Sequence, residues 1–277
     1  MHTITLPSGD TVPALGMGTW CMGESRAARA EEIATLRAGL DHGLRLIDTA
    51  EMYGEGQSEE MIAEAIAGRR DEAFLVSKVY PHNAGRKTAI EACERSLKRL
   101  GTDRIDLYLL HWRGSVPLEQ TIEAFETLQA AGKIRQWGVS NLDIDDMREL
   151  YGITGGERVA TNQVLYNLGR RGVEWDLQPW CHQRKIPLMA YSPIERGELL
   201  EDSTLSDFAH RHGITPAHAA LGWLLAKKDV IVIPKTSHRA RLQENLAALN
   251  APLTASQIAE LDGLFPAPTG PEPLAML

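Results

Sequence analysis

Short apolar runs alternate with amphipathic helical stretches along the whole chain. Three of these runs are LRLIDTA at 44–50, FLVSKV at 74–79 and IDLYLLHW at 105–112, and each is rich in leucine or β-branched residues, as strands are. Eight such runs are present, at 14–19, 45–49, 74–79, 105–111, 136–140, 161–165, 187–191 and 230–233. Strands that alternate with helices pair in parallel, because each crossover returns the chain to the same end of the sheet. The pattern therefore predicts the α/β class with a parallel sheet.

Four polar residues stand at or just past the ends of three of these runs. They are Asp48, Tyr53, Lys78 and His111. The carboxyl ends of parallel strands share one edge of the sheet, where ligands bind. We therefore expect a carboxylate, a phenol, an amine and an imidazole to converge on one rim, where they form a candidate active site.

The chemistry of these groups suggests a role for each. A free tyrosine has a pKa near 10, so Tyr53 needs help to exchange a proton near neutral pH. We expect the ammonium of Lys78 to lower the pKa of Tyr53, and Asp48 to hold Lys78 through a charge-assisted hydrogen bond. A neutral N–H of His111 can orient a carbonyl. No side chain supplies a hydride, so a reduction at this site requires a cofactor. Alternatively, Asp48 and Lys78 are a buried structural ion pair.

Three motifs give the chain a resemblance to the aldo-keto reductase family over essentially its whole length. The segment DTAEMYG at 48–54 is similar to the family's signature around its tyrosine, and VSK at 76–78 and LHW at 110–112 are similar to the lysine and histidine segments. The resemblance implies a (β/α)8 TIM barrel that binds NADPH without a glycine-rich dinucleotide fingerprint. No such fingerprint is evident in this sequence, which disfavours a Rossmann dehydrogenase.

Several segments lie outside the eight repeats. A turn at 7–10 predicts an N-terminal β-hairpin, residues 204–228 predict a helix pair split at 213–216, and PLTASQIAELDGL at 252–264 predicts one further C-terminal helix. The proline-rich tail at 266–277 predicts a loop over or beside the barrel mouth. With 277 residues the chain has the usual length of one such barrel, so we predict a single domain at 1–277.

The later strands predict a site for NADPH/NADP+. Ser140, Asn141 and Gln163 offer donors and acceptors for the nicotinamide carboxamide, and Tyr191 offers a flat face for its ring. The segment from Lys235 to Asn245 resembles the family's site for the adenosine 2′-phosphate, and its cations favour NADPH over NADH. The predicted cofactor-binding residues are Thr19, Trp20, Asp48, Ser140, Asn141, Gln163, Tyr191, Ser192, Ile194, Arg196, Lys235, Thr236, Ser237, Arg241, Glu244 and Asn245.

Two departures from the family pattern bear on the ligands. Many relatives have leucine and glycine where this chain has Ile194 and Glu195, which makes Arg196 a candidate for the pyrophosphate. Arg113 stands where a proline is common in the family. It is either a cation near the substrate entrance or a solvated or ion-paired side chain. The predicted substrate-binding residues are Trp20, Tyr53, His111, Trp112 and Arg113.

Composition limits the partners. A net charge of −8 offers nucleic acid no basic surface, and no apolar run is long enough to span a membrane. Three scattered cysteines, Cys21, Cys93 and Cys181, indicate reduced thiols in the cytoplasm. The histidines show no metal-ligand spacing, so we expect no metal. We expect a monomer whose partner is a small carbonyl compound.

The resulting prediction is an NADPH-dependent reductase of small aldehydes and some ketones. Short loops and a tail without large side chains favour small substrates, with 2-oxoaldehydes such as methylglyoxal first. An alternative is a nucleotide-sensing accessory subunit that binds a partner on the same barrel and turns over slowly. A phosphate-binding isomerase would share only the fold and has no need for Tyr53 and Lys78 together.

Overall fold

Eight parallel strands form one curled sheet with helices between successive strands. The computed structural model describes residues 2–277. The strands are β3 (Met17–Gly18), β4 (Leu46–Asp48), β5 (Phe74–Val79), β6 (Ile105–Leu110), β7 (Ile134–Ser140), β8 (Asn162–Leu165), β9 (Leu188–Tyr191) and β10 (Val230–Val232). They are paired in sequence order from β3 to β10. The predicted α/β class and all eight strand positions are confirmed, although β3 is shorter than expected and β7 begins two residues earlier.

The sheet closes where its first and last strands meet. Isolated parallel bridges join Leu15 to Val232 and Gly18 to Lys235. The amide of Gly18 donates to the carbonyl of Pro234 at 3.0 Å, and a Cβ atom on Gly18 would lie 3.0 Å from the carbonyl oxygen of Ile233. A glycine therefore permits the close approach of the two edges, and the predicted (β/α)8 barrel is confirmed.

Within residues 2–277 the chain forms ten α-helices. They are α1 (Arg29–Asp41), α2 (Gln57–Ala65), α3 (Thr88–Leu100), α4 (Leu118–Ala130), α5 (Ile144–Gly152), α6 (Leu177–Gln183), α7 (Ser203–His212), α8 (Pro216–Leu225), α9 (Arg239–Asn250) and α10 (Ala255–Leu264). The split pair is α7 and α8, and α7 ends at a left-handed Gly213. Helix α10 begins with a capping box between Thr254 and Gln257. Both predictions of C-terminal helices are confirmed.

The N-terminal hairpin consists of β1 (Thr3–Thr5) and β2 (Thr11–Pro13), paired antiparallel as predicted. It is joined to the barrel by Gln136 on β7, whose amide donates to the carboxylate of Asp10 at 2.8 Å. None of the described helices has both the length and the apolar character needed to cross a membrane.

The central strands are apolar because both of their faces are covered. Every residue of β5 and β6 is buried, as expected for a parallel sheet with packed side chains on each side. A charged residue on these strands is therefore held in a dry environment. Lys78 on β5 has a fully buried side chain, with 0% of its surface exposed.

Candidate active site

The side chain of Lys78 connects two strands at the barrel rim. Residue Asp48 is the last of β4 and pairs with Val76, so Lys78 lies two residues further along β5, on the same face as Val76. Its ammonium donates to Asp48 Oδ2 at 2.8 Å, to the carbonyl of Thr49 at 2.8 Å and to Tyr53 Oη at 3.3 Å. An ammonium has three donors, and all three are used.

The hydroxyl of Tyr53 consequently accepts a hydrogen bond from Lys78, which leaves its own hydrogen free to point elsewhere. Tyr53 begins a single helical turn after β4, where Gly54 and Glu55 have left-handed backbone angles with φ near 55°. This turn brings the phenol back to the rim beside His111, with ring centroids 5.9 Å apart and an edge-to-face angle of 73°. The predicted convergence of Asp48, Tyr53, Lys78 and His111 is confirmed.

Burial sets the protonation of this group. The pKa of Tyr53 is raised well above 10 by burial, with the charge of Asp48 as the next cause. The prediction of a lowered pKa for Tyr53 is therefore wrong, because desolvation of the phenolate dominates. Burial also lowers the pKa of Lys78, and the carboxylate of Asp48 opposes that shift. Tyr53 thus keeps its proton throughout the neutral pH range.

His111 remains neutral at every ordinary pH. Burial, together with the charge of Lys78, lowers its pKa to about 2. Its Nδ1 atom is buried without a hydrogen-bond partner. A neutral imidazole carries one N–H, and a donor is costlier to leave unpaired than an acceptor, so we place the proton on Nε2. His111 can then donate a hydrogen bond to a ligand.

The residues on β7 and β8 that are predicted to bind the nicotinamide carboxamide form one hydrogen-bonded group. Ser140 pairs with Gln163 across the two strands, and its hydroxyl donates to the carbonyl of Gln163 at 2.9 Å. Asn141 follows with a left-handed φ of 56° and donates to Ser140 Oγ and to the carbonyl of His111. Gln163 Nε2 donates to Asp48 Oδ1 at 2.7 Å. The predicted cofactor side chains therefore contact the predicted catalytic ones directly.

Tyr191 is half-buried at the end of β9. Its hydroxyl donates to Asn141 Oδ1 at 3.0 Å, which fixes the ring at the rim. Burial raises the pKa of Tyr191 to about 12, with the backbone amide of Leu277 acting in the opposite direction. The ring is thus a neutral flat surface beside the carboxamide group.

Two cations without an ion pair in the described structure lie around the start of α9. Lys235 and Arg241 are both exposed, whereas the neighbouring Arg239 is paired with Glu31 at 3.3 Å. The hydroxyl of Thr236 accepts the backbone N–H of His238 just before the helix. Free donors beside a helix N-terminus suit a phosphate. The remaining predicted residues here are the half-buried Ser237 and Glu244 and the buried Asn245.

The segment after β9 has an unusual backbone. Ser192, Glu195 and Arg196 all have positive φ, between 47° and 56°. The carboxylate of Glu195 is engaged by Arg170 at 2.8 Å, and Ile194 is half-buried against the core. The guanidinium of Arg196 lies 4.4 Å from the ring centroid of Trp20, which is 41% exposed. This cation–π contact joins the loops after β3 and β9 across the rim.

The side chain of Thr19 supports the backbone of the site. Its side chain is fully buried, and its hydroxyl donates to the carbonyl of Asp48 at 2.8 Å while accepting from Ser58 at 2.9 Å. This side chain therefore holds the backbone of Asp48 in place.

The charge of Arg113 is already engaged. Its guanidinium contacts Asp146 at 2.8 Å and Glu149 at 2.7 Å on α5. Of the two alternatives for Arg113, the structure therefore shows the ion-paired side chain. Trp112 lies at the rim against His111 and packs edge-to-face on Tyr80, with centroids 5.9 Å apart. Sequence reasoning missed Tyr80, although it stands two residues beyond Lys78 at the end of β5.

Other groups near the phenol were also missed. Burial and the charge of Glu24 raise the pKa of the exposed Cys21 thiol, and Lys235 and Arg196 oppose this shift. Cys21 in turn contributes to the raised pKa of Tyr53. The buried carboxylate of Glu51 accepts from the amide of Tyr80 at 2.8 Å and so fixes the loop after β5. In the sequence Cys21 follows the predicted Trp20 and Glu51 stands two residues before Tyr53, and this proximity was the only available signal.

The tail at 266–277 has no helix or strand and lies beside the barrel mouth, as predicted. Cavities of about 290 Å³ and 310 Å³ flank it, and both are lined by Gly172 and Val173 after β8 and by Glu272 and Pro273 of the tail. Among residues 2–277, no group of three or more histidine, cysteine, aspartate or glutamate side chains is arranged to hold a metal ion.

Comparisons with known proteins agree with this geometry. The sequence model of the Aldo/keto reductase family matches residues 14–265. Methylglyoxal reductase YeaE of Escherichia coli (strain K12) is 51% identical over 276 residues, covering 98% of this chain and 97% of that protein. Glyoxal reductase of Bacillus subtilis (strain 168) is 32% identical, covering 95% and 92%. The crystal structure of an aldo/keto reductase from Klebsiella pneumoniae in complex with NADP and acetate is 48% identical, with a TM-score of 0.96 and 99% coverage of both chains.

Proposed function

The chain belongs to the aldo/keto reductase family, and on this premise we propose that it reduces small aldehydes and some ketones to alcohols with NADPH. Tyr53 is the proposed proton donor. Lys78, Asp48 and His111 complete the proposed catalytic group.

One observation carries the proposal. The ammonium of Lys78 donates its three hydrogen bonds to Asp48, Thr49 and Tyr53, so the hydroxyl hydrogen of Tyr53 is available to a ligand. The raised pKa of Tyr53 keeps that hydrogen in place at neutral pH. A protonated phenol beside a neutral imidazole donor is suited to a carbonyl that becomes an alcohol.

Each residue then has a defined task. His111 Nε2–H orients the carbonyl oxygen and Tyr53 transfers a proton to it, while Lys78 stabilises the phenolate that remains. Asp48 balances the charge of the fully buried Lys78. Bound NADPH supplies the hydride that no side chain can provide.

The residues at the rim suit NADPH. Asn141, Gln163 and Tyr191 offer amides and an aromatic face for the nicotinamide, and Lys235 and Arg241 offer unpaired charges for the 2′-phosphate. The Klebsiella relative was crystallised with NADP, which supports the same cofactor here. Arg196 and Trp20 lie between these two regions, where we place the pyrophosphate.

For the substrate we propose 2-oxoaldehydes such as methylglyoxal. Two relatives that match nearly the whole chain are named methylglyoxal reductase and glyoxal reductase. We propose that Trp20, Trp112 and Tyr80, which packs on Trp112, flank the substrate. Because Arg113 is neutralised by two carboxylates, we leave it out of the proposed substrate site.

A turnover screen tests the proposal. Methylglyoxal, glyoxal, short unsubstituted aldehydes and a bulky steroid ketone are each mixed with the protein and NADPH, and absorbance at the NADPH band is followed. We expect methylglyoxal to have the highest kcat/KM and the steroid to be inert. NADPH binding without turnover of any carbonyl would contradict the proposal and favour a nucleotide-binding subunit.

We also propose that the protein is a cytoplasmic monomer. All three cysteines are free, with Cys93 and Cys181 buried, which suits a reducing compartment. Sedimentation velocity with and without NADPH tests the oligomeric state.

A further inference from the structure

Asp48 is held from two sides by different chemical groups. Its Oδ2 atom accepts from Lys78 Nζ at 2.8 Å, and its Oδ1 atom accepts from Gln163 Nε2 at 2.7 Å. Asp48 and Gln163 are each 2% exposed, and Lys78 is 0% exposed. Gln163 is 115 residues away from Asp48 in the sequence, on β8, where it pairs with Ser140 of the neighbouring strand β7. The proposed catalytic residues and the proposed nicotinamide-binding residues are therefore joined by one chain of hydrogen bonds.

The second contact restricts a torsion that is otherwise soft. The carboxylate of an aspartate rotates about a broad sp³–sp² torsion, and contact with Lys78 alone leaves it free to turn about that contact. A second donor on the opposite oxygen removes this freedom. Lys78 then keeps its place between Asp48 and Tyr53.

The chemistry of the contact also orients the amide of Gln163. A carboxylate only accepts hydrogen bonds, so Nε2 faces Asp48 and Oε1 faces away from it. Oε1 makes no hydrogen bond within residues 2–277, while Nε2 has Asp48 and the sulfur of Met189 as partners. One end of the amide is thus committed to Asp48, and the other is an open acceptor.

We propose that Gln163 is a positioning residue for the proton donor: its N–H holds Asp48 on Lys78 and so keeps the ammonium on Tyr53. This inference rests on the proposed function and adds a second task to the proposed carboxamide contact of Gln163. The open Oε1 is suited to an N–H of the nicotinamide carboxamide. Such a bond would polarise the amide and strengthen its donation to Asp48.

The substitution Gln163→Glu separates the two tasks. It keeps the shape and an acceptor oxygen for the cofactor, but it replaces the donor with a carboxylate that repels Asp48. We expect NADPH affinity to stay within a few-fold, while the single-turnover rate with saturating NADPH and methylglyoxal falls about 10- to 100-fold at pH 8, as for a lost hydrogen bond to a charged group.

The pH dependence gives the decisive readout. When the introduced carboxyl group is protonated it can donate an O–H to Asp48, so the ratio of variant to parent rate rises as the pH is lowered from 8 to 5. Asp48 on β4 is the titratable group in contact with this position. The groups around its partner Lys78 on β5 are Tyr53 after β4, Tyr191 on β9 and Glu59 on α2. Since they are the same in parent and variant, their own titrations largely cancel in the ratio.

Gln163→Met is the matched control. It has a similar volume and no group that titrates, so its rate relative to the parent stays low and flat across the same pH range. Ser140→Ala, which removes a carboxamide contact that does not touch Asp48, weakens NADPH binding without a pH-dependent ratio. Melting temperatures of the three variants identify any that fail to fold.

A flat ratio for a folded Gln163→Glu variant, or a rate equal to that of the parent, would overturn the positioning role. That result would leave the proposed function intact as long as the parent protein reduces methylglyoxal. Failure of the parent itself to reduce any carbonyl compound would refute the proposed function instead, so the two failures are distinguishable.

Discussion

Lys78 Nζ lies 3.3 Å from the hydroxyl oxygen of Tyr53 and 4.9 Å from the centroid of its ring. The ammonium therefore approaches the phenol near its oxygen, where a phenolate charge would form. In the neutral state, the contact directs the hydroxyl hydrogen away from Lys78. Burial raises the pKa of Tyr53, so the pair is arranged to hold a proton until a carbonyl accepts it.

Replacing Tyr53 by phenylalanine removes the proposed acid and leaves the ring. General acid catalysis contributes roughly 10²- to 10⁴-fold, so we expect the rate of methylglyoxal reduction to fall by at least that range while NADPH still binds. Stopped-flow oxidation of NADPH measures the rate. Tyr151→Phe is the control, because Tyr151 packs on Trp180 among the outer helices. A Tyr53→Phe variant as fast as the parent would refute the assignment.

The raised pKa of Tyr53 predicts the pH dependence of the reverse reaction. Oxidation of an alcohol requires Tyr53 as phenolate, and with a pKa above 10 the phenolate fraction grows about tenfold for each pH unit below that value. We expect the single-turnover rate of alcohol oxidation with NADP+ to rise steadily from pH 7 to 10. A plateau near pH 8 would mean that the pKa of Tyr53 is lowered and not raised.

The depressed pKa of His111 predicts a pH-dependent stability. Its folded pKa is about 2, below the value near 6.5 of an unfolded histidine. Below pH 6.5 the unfolded chain takes up a proton that the folded protein does not, so the free energy of unfolding falls as the pH falls between these two values. From pH 7 to pH 5 this contribution is up to about 2 kcal/mol. Above pH 6.5 this loss disappears, because the histidine is neutral in both the folded and the unfolded state.

Urea unfolding of the parent and of His111→Gln at pH 7 and pH 5 measures this effect. The variant lacks the titrating group, so we expect its stability to fall less than that of the parent on acidification. Equal losses in both proteins would mean that His111 is protonated in the fold, which would remove it as a neutral donor.

Cofactor choice is predicted to depend on the unpaired cations near α9. Two charge-assisted contacts of about 1.5 to 3 kcal/mol each imply a preference for NADPH of order 10²-fold or more, reduced where solvent screens them. We expect Arg241→Ala, alone or with Lys235→Met, to weaken NADPH binding strongly and to leave NADH binding within a few-fold. Fluorescence titrations at two salt concentrations measure both affinities.

The adjacent Arg239→Ala is the matched control, because its guanidinium is engaged by Glu31. This variant is expected to change both affinities little and equally. Parallel losses of NADPH and NADH affinity in Arg241→Ala would assign Arg241 to the shared adenosine or to the fold, and the preference for NADPH would need another origin.

The local pattern of the sequence was sufficient to predict a parallel sheet of eight strands and the meeting of Asp48, Tyr53, Lys78 and His111, while the barrel itself was implied by the resemblance to the aldo-keto reductase family. Apolar periodicity marks where strands end, and parallel pairing carries those ends to one rim. Side-chain chemistry then indicates what the group at the rim can do. The helix pair and the capped C-terminal helix follow from equally local signals, such as Gly213 and Thr254.

Only the tertiary structure decided the environment of each group. Whether Arg113 is free depends on Asp146 and Glu149 of a separate helix, and the contact of Gln163 with Asp48 joins strands 115 residues apart. The pKa of Tyr53 was wrongly predicted for the same reason, because the cost of burying its phenolate comes from all the surrounding atoms. Periodicity places a residue on a face, but its partners, desolvation and charge balance arise from segments that are distant in the sequence.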